Sequence, residues 1–146
     1  MKSGRGGSVG IEQRMAAPAK KVSGYISDFR NAREWMVGVE SVERLGEDSY
    51  RLVLESPIGK IEPEVRIIER GPESIRWVYT TSIEGGGRME VSPDGGGCVV
   101  SYTGEFHLKR KLFDRAARLV GAEKFARANG ERSLLRLKYL MEARRY

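Results

Sequence analysis

The chain has 146 residues, a net charge of +6 at pH 7 and 40% hydrophobic residues, which fits one domain with a sizeable core. Cys98 is the only cysteine, and this excludes an internal disulfide and a cysteine-clustered metal site. No apolar run reaches the ~18–20 residues of a membrane span, and we expect a cytoplasmic protein without a signal peptide. The three side-chain amides in the whole chain and the many charged groups are typical of a heat-adapted composition.

The first elements are a strand and a helical stretch. Residues 1–7 are rich in glycine and predict a flexible leader, followed by one domain over residues 8–146. Apolar and polar residues alternate from Ser8 to Met15, which predicts a strand. Pro18 suits the first turn of a helix, and apolar residues then recur at helical spacing toward Phe29. Residues 31–36 predict a second short helix.

The middle of the chain alternates with period two and predicts an antiparallel meander. Pro63 marks an edge or a bulge in one of its strands, and Gly104 predicts a bend or a bulge in the longest strand, Cys98 to Leu108. The segments Glu84–Gly87 and Pro93–Gly97 are rich in glycine, and we interpret them as links between strands.

A long helix closes the chain, predicted over residues 111–144. Gly121 and the pair Asn129-Gly130 predict a kink or a break. Small and polar residues at Ala126, Asn129 and Ser133 interrupt its apolar stripe and would leave space against a sheet. From residue 107 onward there are twelve basic and four acidic residues. This charge fits a solvated helix face, the interpretation we favour, or a surface for an anionic membrane, an acidic protein or nucleic acid.

Motifs for catalysis and for metals are scarce. No carboxylate or serine neighbour of His107 in the sequence suggests a triad, and its phase on the last strand opposes the apolar face, so we interpret it as structural or exposed. Cys98 is expected to be a small core residue. Neither glycine cluster is followed by a helix with a Gly-Lys-Ser/Thr end, so neither predicts a phosphate loop. Glu62 and Glu64 lie on one face of a predicted strand, and we interpret them as part of a charged outer surface of the sheet. Acid/base catalysis of the glycosidase kind would need such a pair in a cleft. We therefore expect no catalytic residue, metal or cofactor, and no nucleic-acid partner.

Four passages together resemble a known superfamily. They are the first strand ending at Ala17-Pro18, the helix ending at Asp28, the passage from Trp35 to Val42, and the closing run from Ser133 toward Glu142. The chain resembles the SRPBCC superfamily, which includes START-like lipid-transfer domains, and in particular its polyketide cyclase/dehydrase-like members and the CoxG-like accessory proteins of carbon monoxide dehydrogenase. The resemblance implies an α+β helix-grip fold. In that fold a curved antiparallel sheet of about six or seven strands wraps around the long C-terminal helix, with two short helices after the first strand.

The resemblance also implies a cavity for a small hydrophobic ligand such as a lipid or a polyketide. A non-catalytic binder or carrier is the favoured function. The alternatives are a cyclase or dehydratase using Tyr79, Tyr102 or an inward acid, and an accessory protein that docks a partner or a membrane through the basic helix. Each residue of the predicted wall could also be an ordinary core residue. The predicted wall consists of Phe29, Trp35, Met36, Leu52, Leu54, Val65, Ile67, Trp77, Tyr79, Met89, Val100, Tyr102 and Phe125.

Overall fold

A computed structural model describes residues 6–56, 59–81, 83–108 and 122–143. Three α-helices and eight strands lie in these ranges. The helices are α1 (Ala19–Ile26), α2 (Ala32–Trp35), which follows a 3-10 turn at Phe29–Asn31, and α3 (Ala122–Ala143). The strands are β1 (Gly6–Met15), β2 (Val39–Arg44), β3 (Ser49–Ser56), β4 (Gly59–Ile61), β5 (Glu64–Arg70), β6 (Ser74–Tyr79), β7 (Ile83–Asp94) and β8 (Gly97–Leu108).

The strands form one antiparallel sheet in the order β1-β8-β7-β6-β5-β3-β2, and β4 also pairs with β3. The sheet curls as a half-barrel, and α3 packs mainly against β1. Of the two short helices, α1 contacts β7 and β8, and α2 contacts β2. The predicted helix-grip architecture, α+β with two short helices after the first strand, is confirmed. None of the described helices is long and apolar enough to cross a membrane.

Alternation of apolar residues sets the concave face of the sheet, as the period-two pattern predicts. Leu52, Val65, Ile75, Met89 and Val100, each on a different strand, are all buried there. Burial of such side chains contributes about 1.5–3 kcal/mol each. The opposite face carries exposed ion pairs, of which Arg51 with Glu43 and Glu64 is an example.

One prediction about glycine in the sheet is wrong, and one of the two alternatives at Gly104 is excluded. Residues 84–87 are not a link, because they lie inside β7 and pair with both β6 and β8. Gly104 is not a bulge, because the register of β8 is continuous on both sides of it. Bulges lie instead between Val39 and Ser41 and between Ile67 and Glu69.

These glycines are required by close packing. A Cβ on Gly87 would lie 2.3 Å from Cζ2 of Trp77, and a Cβ on Gly104 would lie 2.4 Å from the hydroxyl of Tyr102. Gly85 has a φ of +117°, which L side chains rarely adopt. Glycine is therefore needed at these positions because rings and backbone of neighbouring strands lie close to them, and not because the chain turns there.

The closing helix is unbroken at one of the two places where a kink or a break was predicted. α3 runs through Asn129-Gly130 without a break. Gly130 lets the helix approach β1, since a Cβ there would lie 2.7 Å from Cδ1 of Ile11. Gly121 and the preceding part of the predicted helix lie outside the described residues.

Two smaller differences concern the start of the chain and Pro63. β1 begins at Gly6, so the predicted leader overlaps the sheet by two residues. Pro63 lies between β4 and β5, so the chain forms two strands there instead of the predicted single strand with an edge or a bulge at Pro63. Its own carbonyl still accepts a 2.9 Å hydrogen bond from the Leu52 amide, so the sheet stays connected across the break.

Candidate functional site

A cavity of about 230 Å³ lies between the concave face of the sheet and the first half of α3. The connection from α2 to β2, residues 36–39, closes one side of it. Glu55, Glu105 and Phe125 line the cavity and are also exposed, so it reaches the protein surface at these residues. The site is thus a partly open pocket inside the half-barrel, with a largely apolar wall.

Aromatic rings in contact run through the wall and the adjoining core. The Phe29 ring lies 5.3 Å from that of Tyr50 and 5.4 Å from that of Trp77, measured between centroids. Trp77 stacks on Tyr102 at 6.3 Å with an interplanar angle of 22°. Such pairs favour defined ring orientations. Phe29, Trp77 and Tyr102 therefore present a rigid aromatic surface to the cavity.

Two phenols give this surface its polar groups. Tyr79 and Tyr102 line the cavity, and burial raises the pKa of both, so both stay protonated at neutral pH. The Trp77 indole N–H donates a hydrogen bond to the Tyr79 hydroxyl, which acts to lower that pKa but less strongly than burial raises it. Each phenol can donate one hydrogen bond to a bound molecule.

The α3 side of the cavity has a polar corner. The Ser133 hydroxyl donates to the Asn129 carbonyl (2.7 Å) and accepts from the Val37 amide (2.8 Å). This bridge fixes the α2–β2 connection to the helix. The Asn129 side-chain amide lines the cavity close to Gly38, where a Cβ would lie 3.2 Å from Nδ2. No residue in the described part of the chain forms a hydrogen bond with this amide, so it can offer donors and an acceptor to a ligand.

A carboxyl pair lies on the outward side of β3, beside the wall of the cavity. The Glu55 and Glu40 carboxyls share a hydrogen bond, and Lys60 forms an ion pair with Glu40 at 3.1 Å. The Glu40 carboxylate as acceptor and neighbour raises the pKa of Glu55 above its ordinary value, with partial desolvation adding to the shift. Hydrogen bonds from Glu55 and Lys60 lower the pKa of Glu40.

Nine of the thirteen predicted wall residues line this cavity. They are Phe29, Trp35, Met36, Leu52, Leu54, Trp77, Tyr79, Tyr102 and Phe125. The interruption of the apolar stripe on α3 also lies there, since Ala126, Asn129 and Ser133 all face the cavity.

The other four predicted wall residues do not line the cavity. Val65, Ile67, Met89 and Val100 lie on the same concave face but are buried in the closed core. That core also contains buried residues of α1 and the large residues of the second half of α3, which leave no space over these strand positions. Strand alternation identifies a face, and it does not show which part of the face the helices cover.

Sequence reasoning missed Val9 and Glu55 among the lining residues. It also did not identify the Asn129 side-chain amide as a group that can bind a ligand. The Glu55 side chain belongs to the outward phase of β3, opposite Lys60, and its backbone carbonyl lies at the cavity wall, where a Cβ on Gly38 would be 3.7 Å away. Strand alternation locates side chains and gives no signal for a backbone group in the wall.

The remaining candidates for chemistry lie elsewhere. Cys98 is fully buried in the core, where burial raises the pKa of its thiol. His107 pairs with Gly6 and Glu84 in the sheet. In the described ranges no group of three metal-ligating side chains comes together.

Comparison with known proteins shows the family. The family described as polyketide cyclase / dehydrase and lipid transport matches residues 8–142, and the chain belongs to it. No curated protein sequence matches the chain.

Solved structures with the same fold are distant in sequence. A protein from Thermus thermophilus is 20% identical with a TM-score of 0.77, covering 96% of this chain and 100% of that one. The Zhui aromatase/cyclase from Streptomyces sp. R1128 is 17% identical with a TM-score of 0.78, covering 95% of each chain. A START superfamily protein from Mycobacterium smegmatis is 14% identical with a TM-score of 0.64, covering 88% of this chain and 98% of that one.

Proposed function

We propose that this member of the polyketide cyclase / dehydrase and lipid transport family binds and carries a small, mostly apolar molecule in the cavity between the sheet and α3. The observation that carries the proposal is the open pocket of about 230 Å³ whose wall is aromatic and whose few polar groups converge on it. A concave apolar site with a small number of placed polar groups is the usual form of a ligand site.

The volume favours a compact ligand. Pockets for drug-sized ligands measure about 300–1,000 Å³, so a cavity below that range suits a molecule of two or three rings better than a long-chain lipid. The contact between Phe29, Trp77 and Tyr102 offers flat ring faces for stacking. Membership of the family and the fold shared with an aromatase/cyclase support an aromatic or polyketide-like ligand.

The polar groups define how such a ligand would lie. The phenols of Tyr79 and Tyr102 donate to a carbonyl or hydroxyl oxygen of the bound molecule, and the Asn129 amide can donate and accept beside α3. A ring system with one or two oxygen substituents satisfies both places. A pure hydrocarbon leaves these groups without partners, which costs about 1–3 kcal/mol for each buried group.

Two measurements test the binding proposal. Native mass spectrometry of gently purified protein is expected to show a bound small molecule that organic extraction releases. Binding of the fluorescent probe N-phenyl-1-naphthylamine is then measured for Ala126→Phe, which places a ring in the cavity wall. Ala143→Phe, the same change at an exposed position of the same helix, is the matched control.

We expect Ala126→Phe to weaken probe binding at least tenfold while Ala143→Phe leaves it unchanged. Equal binding by both variants would show that the probe binds elsewhere, and the proposal would then fail. Thermal unfolding of both variants checks that the fold is retained.

A second candidate, a cyclase or dehydratase in the same cavity, is favoured by the two buried phenols that line it. Burial raises the pKa of Tyr79 and of Tyr102, so both are protonated at neutral pH and each can donate to a substrate oxygen. In a dehydration one phenol would protonate a leaving hydroxyl of the substrate, which departs as water. The phenolate left behind would then accept the proton from the adjacent carbon as the double bond forms, and this restores the phenol.

The two candidates differ in what happens to the extracted molecule. A carrier returns it unchanged, whereas a dehydratase releases a product lighter by one water. The double variant Tyr79→Phe/Tyr102→Phe keeps both rings but removes both proton donors, so it retains probe binding in both cases and abolishes conversion only in the enzyme. Conversion that persists in this variant would exclude the phenols as the acid.

A further inference from the structure

One face of α3 is unusual in the described part of the chain because it exposes large apolar side chains beside arginines. We call Phe125, Arg132, Leu135, Arg136 and Tyr139 the outer face. The exposed fractions are 39% for Phe125, 40% for Leu135 and 59% for Tyr139. Among the described residues only Leu45 and Ile68, on or beside the sheet, are comparably exposed large hydrophobics.

The spacing places these side chains together. Positions 132, 135, 136 and 139 follow the i, i+3, i+4, i+7 rule, so they form one stripe along the helix. The buried side of α3, with Leu134, Leu137 and Met141, faces the core. The helix is therefore amphipathic on its inner side and carries a second, smaller apolar stripe on its outer side.

The charges on the outer face are all positive. Arg132 and Arg136 are exposed, and neither forms an ion pair with any residue that the structure describes. Two carboxylates flank this face. Glu131, exposed and next to Arg132 in the sequence, forms no ion pair with either arginine, and Glu142 is engaged by Lys138 at 3.1 Å and by the Ala16 amide at 2.8 Å. The outer face thus offers two guanidinium groups to an external anion.

We propose that the outer face of α3 docks the protein on an anionic membrane surface. Leu135 and Tyr139 enter the interfacial layer, where a tyrosine ring is well placed with one apolar and one wet end. Arg132 and Arg136 extend their apolar stems alongside and bring their guanidinium groups to lipid phosphates. A helix with arginine, leucine and aromatic residues on one face is typical of interfacial binding.

The shape of this face favours a membrane over an acidic protein. A stable protein interface buries about 800 Å² on each partner and centres on side chains held in pockets. Five side chains on a convex helix provide neither that area nor a pocket. A lipid surface needs no matching shape, and its negative potential attracts each nearby arginine.

Docking in this way has a consequence for the cavity. Phe125 belongs to the outer face and also lines the opening of the cavity. A protein lying on its outer face would hold that opening beside the lipid, so an apolar ligand could pass between membrane and cavity with little exposure to water. Docking itself goes beyond the proposed function, because it depends only on the helix surface.

Flotation with vesicles tests the proposal. The full chain is mixed with vesicles of phosphatidylcholine and phosphatidylglycerol, and with vesicles of phosphatidylcholine alone. The test variants are Arg132→Gln/Arg136→Gln and Leu135→Ser/Tyr139→Ser. The matched control is Arg66→Gln/Arg76→Gln, which removes two exposed arginines from the convex side of the sheet, away from α3.

We expect the wild type to float with anionic vesicles only, and more weakly as salt is raised. Each arginine near an anionic surface contributes about fivefold in affinity, so Arg132→Gln/Arg136→Gln should bind roughly 25-fold more weakly than the wild type. Leu135→Ser/Tyr139→Ser should also lose binding, and the control should keep it.

Two results would overturn the proposal. One is a wild type that does not float with anionic vesicles, which leaves an acidic protein as the partner that this charge would recognise. The other is an equal loss in the control, which would mean that total charge and not the outer face is responsible. Probe binding in the cavity is measured separately with Ala126→Phe, so failure of docking and failure of ligand binding are distinguishable.

Discussion

Replacing Gly87 by alanine tests the close packing that forms the wall of the cavity. Gly87 lies in β7 opposite Trp77, and an added Cβ would lie 2.3 Å from Cζ2 and 2.7 Å from Cε2 of the indole. Real Cβ atoms do not approach that closely. The indole is 3% exposed and stands between Phe29 and Tyr102, so it cannot move away without displacing them.

The expected cost follows from overpacking. Inserting one methyl into a well-packed core costs about 1–3 kcal/mol, and the lower entropy of alanine in the unfolded chain returns about 0.4–1 kcal/mol. The net loss is about 1–2 kcal/mol in the free energy of unfolding, or about 3–8 °C in Tm for a chain of this size. Urea and thermal unfolding of Gly87→Ala measure it.

Two companion variants make the result specific. Gly96→Ala adds the same methyl at the β7–β8 turn, where nothing lies within 4 Å, so Tm should change by less than about 2 °C. Trp77→Phe removes the part of the ring that the methyl would meet, so Gly87→Ala should cost at least about 1 kcal/mol less in that background. If residues 84–87 were a flexible link, Gly87→Ala would instead stabilise the protein. That outcome would refute the packing argument.

Three further changes test α3 and the carboxyl pair. Leu137→Ala should lower the free energy of unfolding by about 2–5 kcal/mol because the side chain is fully buried, while Leu135→Ala on the outer face should cost less than about 1 kcal/mol in the same urea experiment; similar losses at both positions would mean that the helix phase is wrong. Ser133→Ala leaves the Val37 amide without its acceptor and should cost about 1–3 kcal/mol, with faster hydrogen exchange at that amide; unchanged exchange would contradict the bridge. Because the folded-state pKa of Glu55 is raised above the ordinary 4.5, its stabilising hydrogen bond is present at low pH and lost as pH rises through the folded-state pKa. Glu55→Gln keeps its donor at every pH, so its Tm relative to wild type should rise above that point, and a constant difference would show that no proton is shared.

The fold followed from the sequence because two periodicities determine it. Alternation with period two gave the faces of the strands, and the helical stripe with Leu134, Leu137 and Met141 gave the buried side of α3. Both depend on neighbours along the chain, so one sequence suffices to find them. The resemblance to a known superfamily then supplied the order in which the elements assemble.

The glycines could not be interpreted in the same way. Gly87 and Gly104 avoid a clash with rings, and Gly130 lets α3 approach β1, but a turn also favours glycine for its backbone freedom. Composition cannot separate these causes, because the group that requires the glycine lies on another element. Only the strand register shows that Gly87 faces Trp77.

The position of the cavity is determined on both of its sides. On α3, the residues that face the sheet change from Ala126 and Gly130 in the first half to Leu137 and Met141 in the second. The interruption of the helix stripe thus anticipated where the space would lie. Val65 and Met89 share the concave face but lie beneath the part that large side chains fill, and for that reason they belong to the core.

Small residues on the helix are not sufficient without their counterparts on the sheet. Space under Ala126 and Gly130 would collapse if the sheet side chains were free to fill it, because interiors pack to high density. Trp77 is held in place by Phe29 and Tyr102 and cannot relax into it. A rigid aromatic wall opposite a helix of small residues keeps the space open. The same rigidity means that a ligand finds its stacking surface already formed, which lowers the entropic cost of binding.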